Sequence, residues 1–297
     1  MKFRSPSYLL KLMLLSILIG TIPVILLGTF AYYYSSRTVQ EKVNESNKQL
    51  LQQLQMRVEQ TLKTVDNSAT QLLQSPVVTD AFEKHLTNHD FEMVQQLYKG
   101  IAQIQAYELG IKDVFLYSLT SDWMVSSSGI NEYSVPEFKP QLEAFARHAG
   151  GSFWISRSDA SPNAFQTIYF VKKYPFNAAN PKGIICVAVS SDLMKEIDAL
   201  QNGKLGSAFI LDRELRIVDR HDRTLLGSSM VGQAHLKPLF ETKDAFGQYT
   251  AELDGESVTV SFRKSAYNGW SYVSVSANEQ VNEQNKVIGW ITFLVCM

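Results

Sequence analysis

LQQLQMRVEQTLKTVDNSATQLLQ, residues 51–74, decides how the chain is built. Its apolar positions Leu51, Leu54, Val58, Leu62, Val65, Ala69 and Leu72 step by 3, 4, 4, 3, 4 and 3 residues, the spacing of one helical face. Neither Gly nor Pro occurs from Ser35 through Ser75, so nothing interrupts a helix from about Thr38 to Gln74, a rod roughly 55 Å long. The stripe suits two partners, a second copy of the chain in a coiled coil or the chain's own sheets, and the spacing alone leaves both open. Ser75-Pro76 ends the rod, because the residue before proline is pushed out of the α region, and Pro76 suits the first turn of a short helix to about Lys84. A further helix is expected from about Asp90 to Leu109, with Phe91, Val94, Leu97, Ile101, Ile104 and Tyr107 on one side and Gly110 closing it.

Upstream of the rod, Leu12 to Tyr34 reads LMLLSILIGTIPVILLGTFAYYY and carries no charge. That length of helix spans the hydrocarbon layer. Lys2, Arg4 and Lys11 precede it without an acidic residue, which places the N-terminus in the cytoplasm and residues 35–283 outside. Tyr32, Tyr33 and Tyr34 suit an outer interfacial belt, and Pro23 is tolerable in a membrane helix. The apolar run is too long for a signal peptide and lacks a small-x-small cleavage pattern, so an uncleaved anchor is expected. At the other end KVIGWITFLVCM, 286–297, turns apolar again. With Lys286 and Trp290 at an outer interface, residues 287–297 read as the start of a second membrane span, and the chain as the input half of a longer receptor.

Past residue 110 the apolar period changes from helical to alternating. DVFLYSL (113–119) and WMVSSS (123–128) read as a hairpin around Thr120, Ser121 and Asp122. Phe153–Ser156, Phe165–Tyr174 and Gly183–Val189 add three strands, with a helix expected near Val135–Arg147 and another in SDLMKEIDAL, capped by Ser190 or Ser191. Gln201-Asn202-Gly203 punctuates the chain, and a second strand set follows. SAFILD and RIVDR flank Arg213-Glu214, TAEL and ESVTVSF flank Asp254-Gly255, a pair suited to a type I′ turn, and Trp270–Ser276 follows Asn268-Gly269. The order is α+β rather than alternating βαβ. The expected organisation is a cytoplasmic end (1–11), a membrane helix (12–34), a stalk (35–75), a membrane-distal unit (76–203), a membrane-proximal unit (204–283) and the incomplete second span (287–297).

One span, a long outer helix, two successive antiparallel-sheet units and a return to the membrane resemble the double Cache (dCache) extracytoplasmic sensor family, over about Ser35 to Glu283. LGIKDVFLYS, FVKKYPF and GIICVAVSSDLMKEI carry the local likeness. The resemblance implies two tandem PAS-like (Cache) subdomains, a ligand site in the distal one, and signalling into the cell. LLSILIGTIPVILLGTFAYYY together with RVEQTLKTVDNSATQLLQSPVVTDAF looks most like the front half of membrane-bound AraC-type (helix-turn-helix) transcription regulators of Gram-positive bacteria, with sensor histidine kinases close behind. The amino-acid-binding subgroup of the family carries R-x-W-Y and then an aspartate in the strand that here reads GIICVAVS. This chain has SFWISRSDAS at 152–161, and Ala188 stands where the aspartate belongs. The resemblance therefore argues against an α-amino-acid ligand.

Catalytic apparatus is not apparent: G-x-S-x-G, H-E-x-x-H, P-loop and G-x-G-x-x-G patterns do not occur in the sequence. His85 and His89 stand four apart beside Asp90, but Thr87 and Asn88 read as a turn and no third metal ligand is evident, so neither a metal nor a cofactor is expected. With 28 basic and 29 acidic residues, the chain has no global field to recruit nucleic acid. The mixed-sign run DRELRIVDRHDR, 212–223, reads as a solvated face, and Cys186 and Cys296 as packing residues. Tyr117, Trp123, Trp154, Arg157 and Tyr169 combine aromatic faces with one cation, the types that grip a sugar ring or a small carboxylate, and are the candidate ligand residues, with those ligands favoured over an amino acid. The partners expected are a small solute or an outer partner protein, the lipid bilayer and a second copy of the chain. A membrane-tethered binding or adhesion module is the competing class.

Overall fold

The structure, a computed structural model, describes residues 6–87, 89–106, 110–121, 123–127, 129–131, 151–156, 167–176, 178–190, 207–220 and 223–277. The helices expected near Val135–Arg147 and in SDLMKEIDAL, the start of the second span, and Arg157, His221 and Cys296 lie outside these residues.

The membrane segment and the stalk, separate in the sequence reading, form one helix, α1 (Pro6–Leu73), of 68 residues. At 1.5 Å per residue it is about 100 Å long. Its first half is apolar on all sides, with Leu12, Leu15, Ile19, Leu26 and Phe30 exposed, the character of a surface that faces lipid. It is long and apolar enough to cross a membrane. From Asn47 onward one face is buried, and Leu51, Leu54, Val58, Leu62, Val65, Ala69 and Leu72, the stripe read from the sequence, are all in the core. Of the two partners left open for that stripe, the chain's own sheets take it.

α1 ends at the predicted place. Ser75 caps α2 (Pro76–Glu83), its hydroxyl accepting a bond from the Val78 amide at 3.4 Å, and Pro76 occupies the first turn. α3 (Phe91–Ala106) then lies against α1 so closely that a Cβ at Gly100 would stand 2.5 Å from Leu72 Cδ1. Val94, Leu97, Ile101 and Ile104 are its buried side, while Phe91 is exposed.

The distal sheet contains β1 (Ile111–Ser118), β2 (Met124–Ser126), β3 (Gly129–Asn131), β4 (Ser152–Ser156), β5 (Thr167–Tyr174) and β6 (Gly183–Ser190), ordered β3-β2-β1-β6-β5-β4. Every pairing in it is antiparallel. The proximal sheet contains β7 (Ser207–Leu211), β8 (Ile217–Arg220), β9 (Phe246–Leu253), β10 (Glu256–Lys264) and β11 (Ser271–Ala277), ordered β8-β7-β11-β10-β9. The β9–β10 turn is the one predicted, with φ of 54° at Asp254 and 84° at Gly255. The β7–β8 turn differs slightly: the left-handed residue is Leu215 (φ 61°), one place after the expected Arg213-Glu214 pair.

The run 212–223 is not simply a solvated face. Asp212 and Asp219 are buried. The Asp212 carboxylate accepts from the Arg216 amide at 2.8 Å and so closes the β7–β8 turn, a short-range side-chain bond that composition alone does not reveal.

One helix serves both sheets. Val65, Ala69, Leu72 and Leu73 join α2, α3 and the distal strands in one core, and Leu51, Leu54, Val58 and Leu62 join Ala208, Ile210, Val218, Trp270 and Tyr272 of the proximal unit in another. Trp154 packs on both cores, 4.8 Å from the Phe170 ring and 6.2 Å, edge-on, from Trp270. Replacing Leu54 or Leu62 by Ala removes buried side chain from this shared ridge and should cost about 2–5 kcal/mol each in urea unfolding. Met56→Ala, on the exposed side, should stay within about 0.5 kcal/mol. Equal losses at all three positions would mean that the stripe packs elsewhere.

Candidate functional site

Alternation along the distal strands separates two kinds of surface. Toward α1, α2 and α3 point Val114, Leu116, Val125, Phe170, Ile185, Val187 and Val189, a filled aliphatic core. The opposite face gathers Phe115, Tyr117, Met124, Phe153, Tyr169, Val171, Ile184 and Cys186. Aromatic rings with hydroxyls on that second face are the usual lining of a small-molecule site.

The strand register orders this face in rows. Asp113, Ala188 and Tyr169 are directly opposite one another across β1, β6 and β5. Phe115, Cys186, Val171 and Phe153 form the next row, and Tyr117, Ile184 and Lys173 the third. Lys173 is buried although charged. A cation in that position must be satisfied by neighbouring groups, and it does take part in an interaction there. Burial, and secondarily the Asp113 carboxylate, push the Cys186 thiol up to about 12, so it stays a neutral packing group.

Asp113 is the functional candidate missing from the sequence reading. A β-bulge between Ile111 and Asp113 sets its register, and Asp113 Oδ1 accepts bonds from the Val114 amide at 2.7 Å, the Ser127 amide at 3.3 Å and the Ser127 hydroxyl at 2.7 Å. The period-2 series Asp113, Phe115, Tyr117 already contained the signal, since alternate residues of a strand share a face.

The five residues nominated from sequence do not all lie together. Tyr117 and Tyr169 are both on the aromatic face, Tyr117 buried and Tyr169 half-buried. Trp123 is on the opposite side, stacked on Phe82 with ring centroids 5.5 Å apart and donating its indole N–H to the Lys84 carbonyl at 3.1 Å. Trp154 also points away from the aromatic face, toward Phe170 and Trp270. Arg157, which follows β4, is outside the described residues. The two tryptophans are the largest rings of the set and both go into the core, Trp123 against α2 and Trp154 between Phe170 and Trp270.

His85 Nδ1 lies 3.1 Å from the Ser121 carbonyl, while the Asp90 carboxylate accepts from the Thr87 amide at 2.9 Å and the Thr87 hydroxyl at 3.0 Å. Those bonds hold the Asp90 carboxyl below its ordinary value and mark it as part of the turn into α3. Among the described residues the second face of the proximal sheet is covered, with its phenol, Tyr249, donating to the His235 carbonyl at 2.9 Å and Arg220 lying over the Phe209 ring at 5.6 Å. That face, turned away from α1, holds Phe209, Leu211, Ile217, Val258, Val260, Phe262, Val273 and Val275, closed over by Leu226, Leu236 and Leu239.

A family model described as a Cache domain matches residues 35–284. A protein of Bacillus subtilis strain 168 named as an uncharacterized HTH-type transcriptional regulator, YtdP, is 27% identical over 308 residues, an alignment covering all of this chain and 40% of that relative. The chain thus spans less than half the length of the curated relative it matches. Among solved structures, the sensory domain of the Campylobacter jejuni chemoreceptor Tlp3 with isoleucine bound superposes with a TM-score of 0.58 at 14% identity, covering 84% of this chain and 98% of that one. The ligand-binding domain of the Pseudomonas aeruginosa amino acid chemoreceptor PctC in complex with GABA gives 0.53 at 14% identity, covering 80% and 99%. That of Mlp24 with asparagine gives 0.55 at 14%, covering 84% and 98%. At these identities the likeness establishes the α+β fold with its two antiparallel sheets.

Proposed function

The chain belongs to the Cache domain family, and from that premise we propose that it is the extracytoplasmic sensing region of a membrane-bound receptor whose distal sheet receives a small solute on the Tyr117–Tyr169 face. The contrast between the two sheets carries this reading. Both hold a filled core, but among the described residues only the distal sheet brings two tyrosines, a carboxylate and a cation into the rows of its second face, while the phenol of the proximal sheet, Tyr249, is spent on the His235 carbonyl.

Asp113 changes the ligand class. What speaks against an amino acid is Ala188, standing where the family resemblance places an aspartate. Asp113 stands directly across from Ala188 and returns a carboxylate to the same row. A solute with an ammonium group, such as an amino acid or a short amine, fits that arrangement better, since the anion in a half-buried setting favours a cation. Arg157 remains a candidate for the solute's own anionic end, by analogy with the arginine of the R-x-W-Y pattern. The solved relatives with isoleucine, GABA and asparagine accord with an amine ligand. Trp123 and Trp154, packed on the helix side, act as scaffold in this reading.

The test is thermal unfolding of the full chain in detergent against a panel of amino acids, amines, sugars and organic acids. An ammonium-bearing solute at about 100 times its Kd should stabilise the fold by about 2.7 kcal/mol. Asp113→Asn, which keeps the bonds from Val114 and Ser127 available but removes the charge, should abolish the shift. A shift produced by sugars or acids that persists in Asp113→Asn would restore the ligand class inferred from the sequence.

For topology we read Lys2, Arg4 and Lys11 as cytoplasmic and the two sheets as outside. For output we read helix-turn-helix transcription regulation, which the name of the Bacillus relative supports, and the AraC type within it from the likeness of the front half of the chain. A membrane-impermeant maleimide applied to intact cells should label Lys48→Cys, on the exposed side of α1, and spare Ser5→Cys. The reverse pattern would invert the orientation.

A further inference from the structure

The strands that carry the aromatic face also carry contacts between the two units. Alternate residues of a strand point to opposite sides. On β4, Phe153 belongs to the aromatic face, and its neighbour Trp154 packs on both cores. On β5, Tyr169 is half-buried on that face, while Ile168 enters the core that α1 shares with the proximal sheet. Further along β5, Lys173 lies in the third row of the face, and its neighbour Lys172 turns the other way to donate from Nζ to Asp66 Oδ1 on α1 at 2.6 Å.

Trp154, and Lys172 through Asp66, meet the proximal unit at one turn, 265–270, between β10 and β11. The Trp154 ring lies edge-on to Trp270 at 6.2 Å. The Tyr267 hydroxyl donates to Asp66 Oδ2 at 3.5 Å, so Asp66 holds Lys172 of one unit and Tyr267 of the other. Burial pushes the Tyr267 phenol up to about 12, and the Trp154 indole N–H directed at its oxygen works against that rise. Lys63 of α1 closes the group, its Nζ 5.2 Å from the centre of the Tyr267 ring.

The turn is bonded to itself throughout. The Ser265 amide donates to the Trp270 carbonyl at 2.8 Å, and the Gly269 amide to the Ser265 carbonyl at 3.0 Å. The Ser265 hydroxyl accepts from the amides of Tyr267 at 3.1 Å and Asn268 at 3.3 Å, and Asn268 Oδ1 accepts from the Trp270 amide at 3.0 Å. Such a turn moves as one piece, and Ser271, the residue after it, opens β11. β11 is the central strand of its sheet, flanked by β7 and β10, and the chain that leaves it leads to the apolar run 286–297.

We propose that the turn 265–270 is the joint through which the solute face of the distal sheet acts on β11, with Trp154, Ile168, Asp66 and Tyr267 as positioning residues that touch no solute. Its function rests on the distal face receiving a solute, as proposed above. A solute that draws in Phe153, Tyr169 or Lys173 shifts β4 and β5, and the next residue of each strand carries that shift to the joint. The effect is bounded by the solute's difference in affinity between the two positions of the joint.

The experiment uses the full chain in lipid nanodiscs. In a double-mutant cycle, Tyr267→Phe should lower Tm by about 2–4 °C in the unmodified chain and by no more than about half of that in a Trp154→Phe background, where the contact is already broken. Equal losses in both backgrounds would overturn the joint. Hydrogen exchange is then followed with the amino acids and amines of the unfolding panel, added one at a time. One of them should slow amides of β5 and β6 and change the exchange of β11 amides by about threefold or more. Tyr267→Phe should at least about halve that β11 change while keeping the solute's Kd within about twofold. Distal slowing without any change in β11, or a β11 change that Tyr267→Phe leaves intact, would also overturn the joint. Slowing of no distal amide would count against the solute reading itself, and the cycle alone would then decide whether the joint exists.

Discussion

Everything in this molecule hangs on the burial of one face of α1. Packing of an amphipathic face supplies most of the stability of helices in proteins. Here that face is used twice, first by the proximal sheet through Leu51, Leu54, Val58 and Leu62, then by the distal sheet through Val65, Ala69, Leu72 and Leu73. Each sheet therefore spends one side on the helix and keeps the other side for its own purposes. The same helix continues without a break into its apolar first half, exposed on all sides, which suits a bilayer.

What each sheet does with its second side separates the two units. The proximal sheet closes it with Leu226, Leu236 and Leu239, and ties the cover down through the Tyr249 hydroxyl, which donates to the His235 carbonyl at 2.9 Å. Burial of that phenol raises its pKa to about 12, so it remains a neutral donor over the physiological range. The distal sheet instead leaves tyrosines, a carboxylate and a cation on its second side, with β4 and β5 each carrying both a residue of that face and a residue of the side toward α1. Phe153 and Trp154 are adjacent on β4, and Lys172 and Lys173 are adjacent on β5, each pair pointing to opposite faces. Strands of this kind couple the two faces by construction, because a strand that shifts moves both sets of side chains.

The helical stripe, the Ser75 cap and the Asp254-Gly255 turn are legible in the sequence because each is a local rule written in neighbouring residues. The strands are legible for the same reason, but which face of each strand meets the helices is set by pairing register, and register is a property of partners far apart in the chain. That is why Trp123 and Trp154, attractive as ring binders by type, turn out to be packed against Phe82 and Trp270, and why Asp113 escapes notice until β1 is set beside β6. The buried Asp212 and Asp219 show the same limit: a mixed-charge run looks solvated until a turn draws its carboxylates inward.

If α1 is the common ridge, the two sheets cannot come apart independently, since unfolding either one strips half of the face that holds the helix in place. Hydrogen exchange measured through a urea titration reads this directly, by comparing amides of β6 in the distal sheet with amides of β10 in the proximal sheet. The account predicts one midpoint, with both strands losing protection together. Two separated midpoints would show that the sheets are independent bodies that merely touch the same helix, and would contradict it.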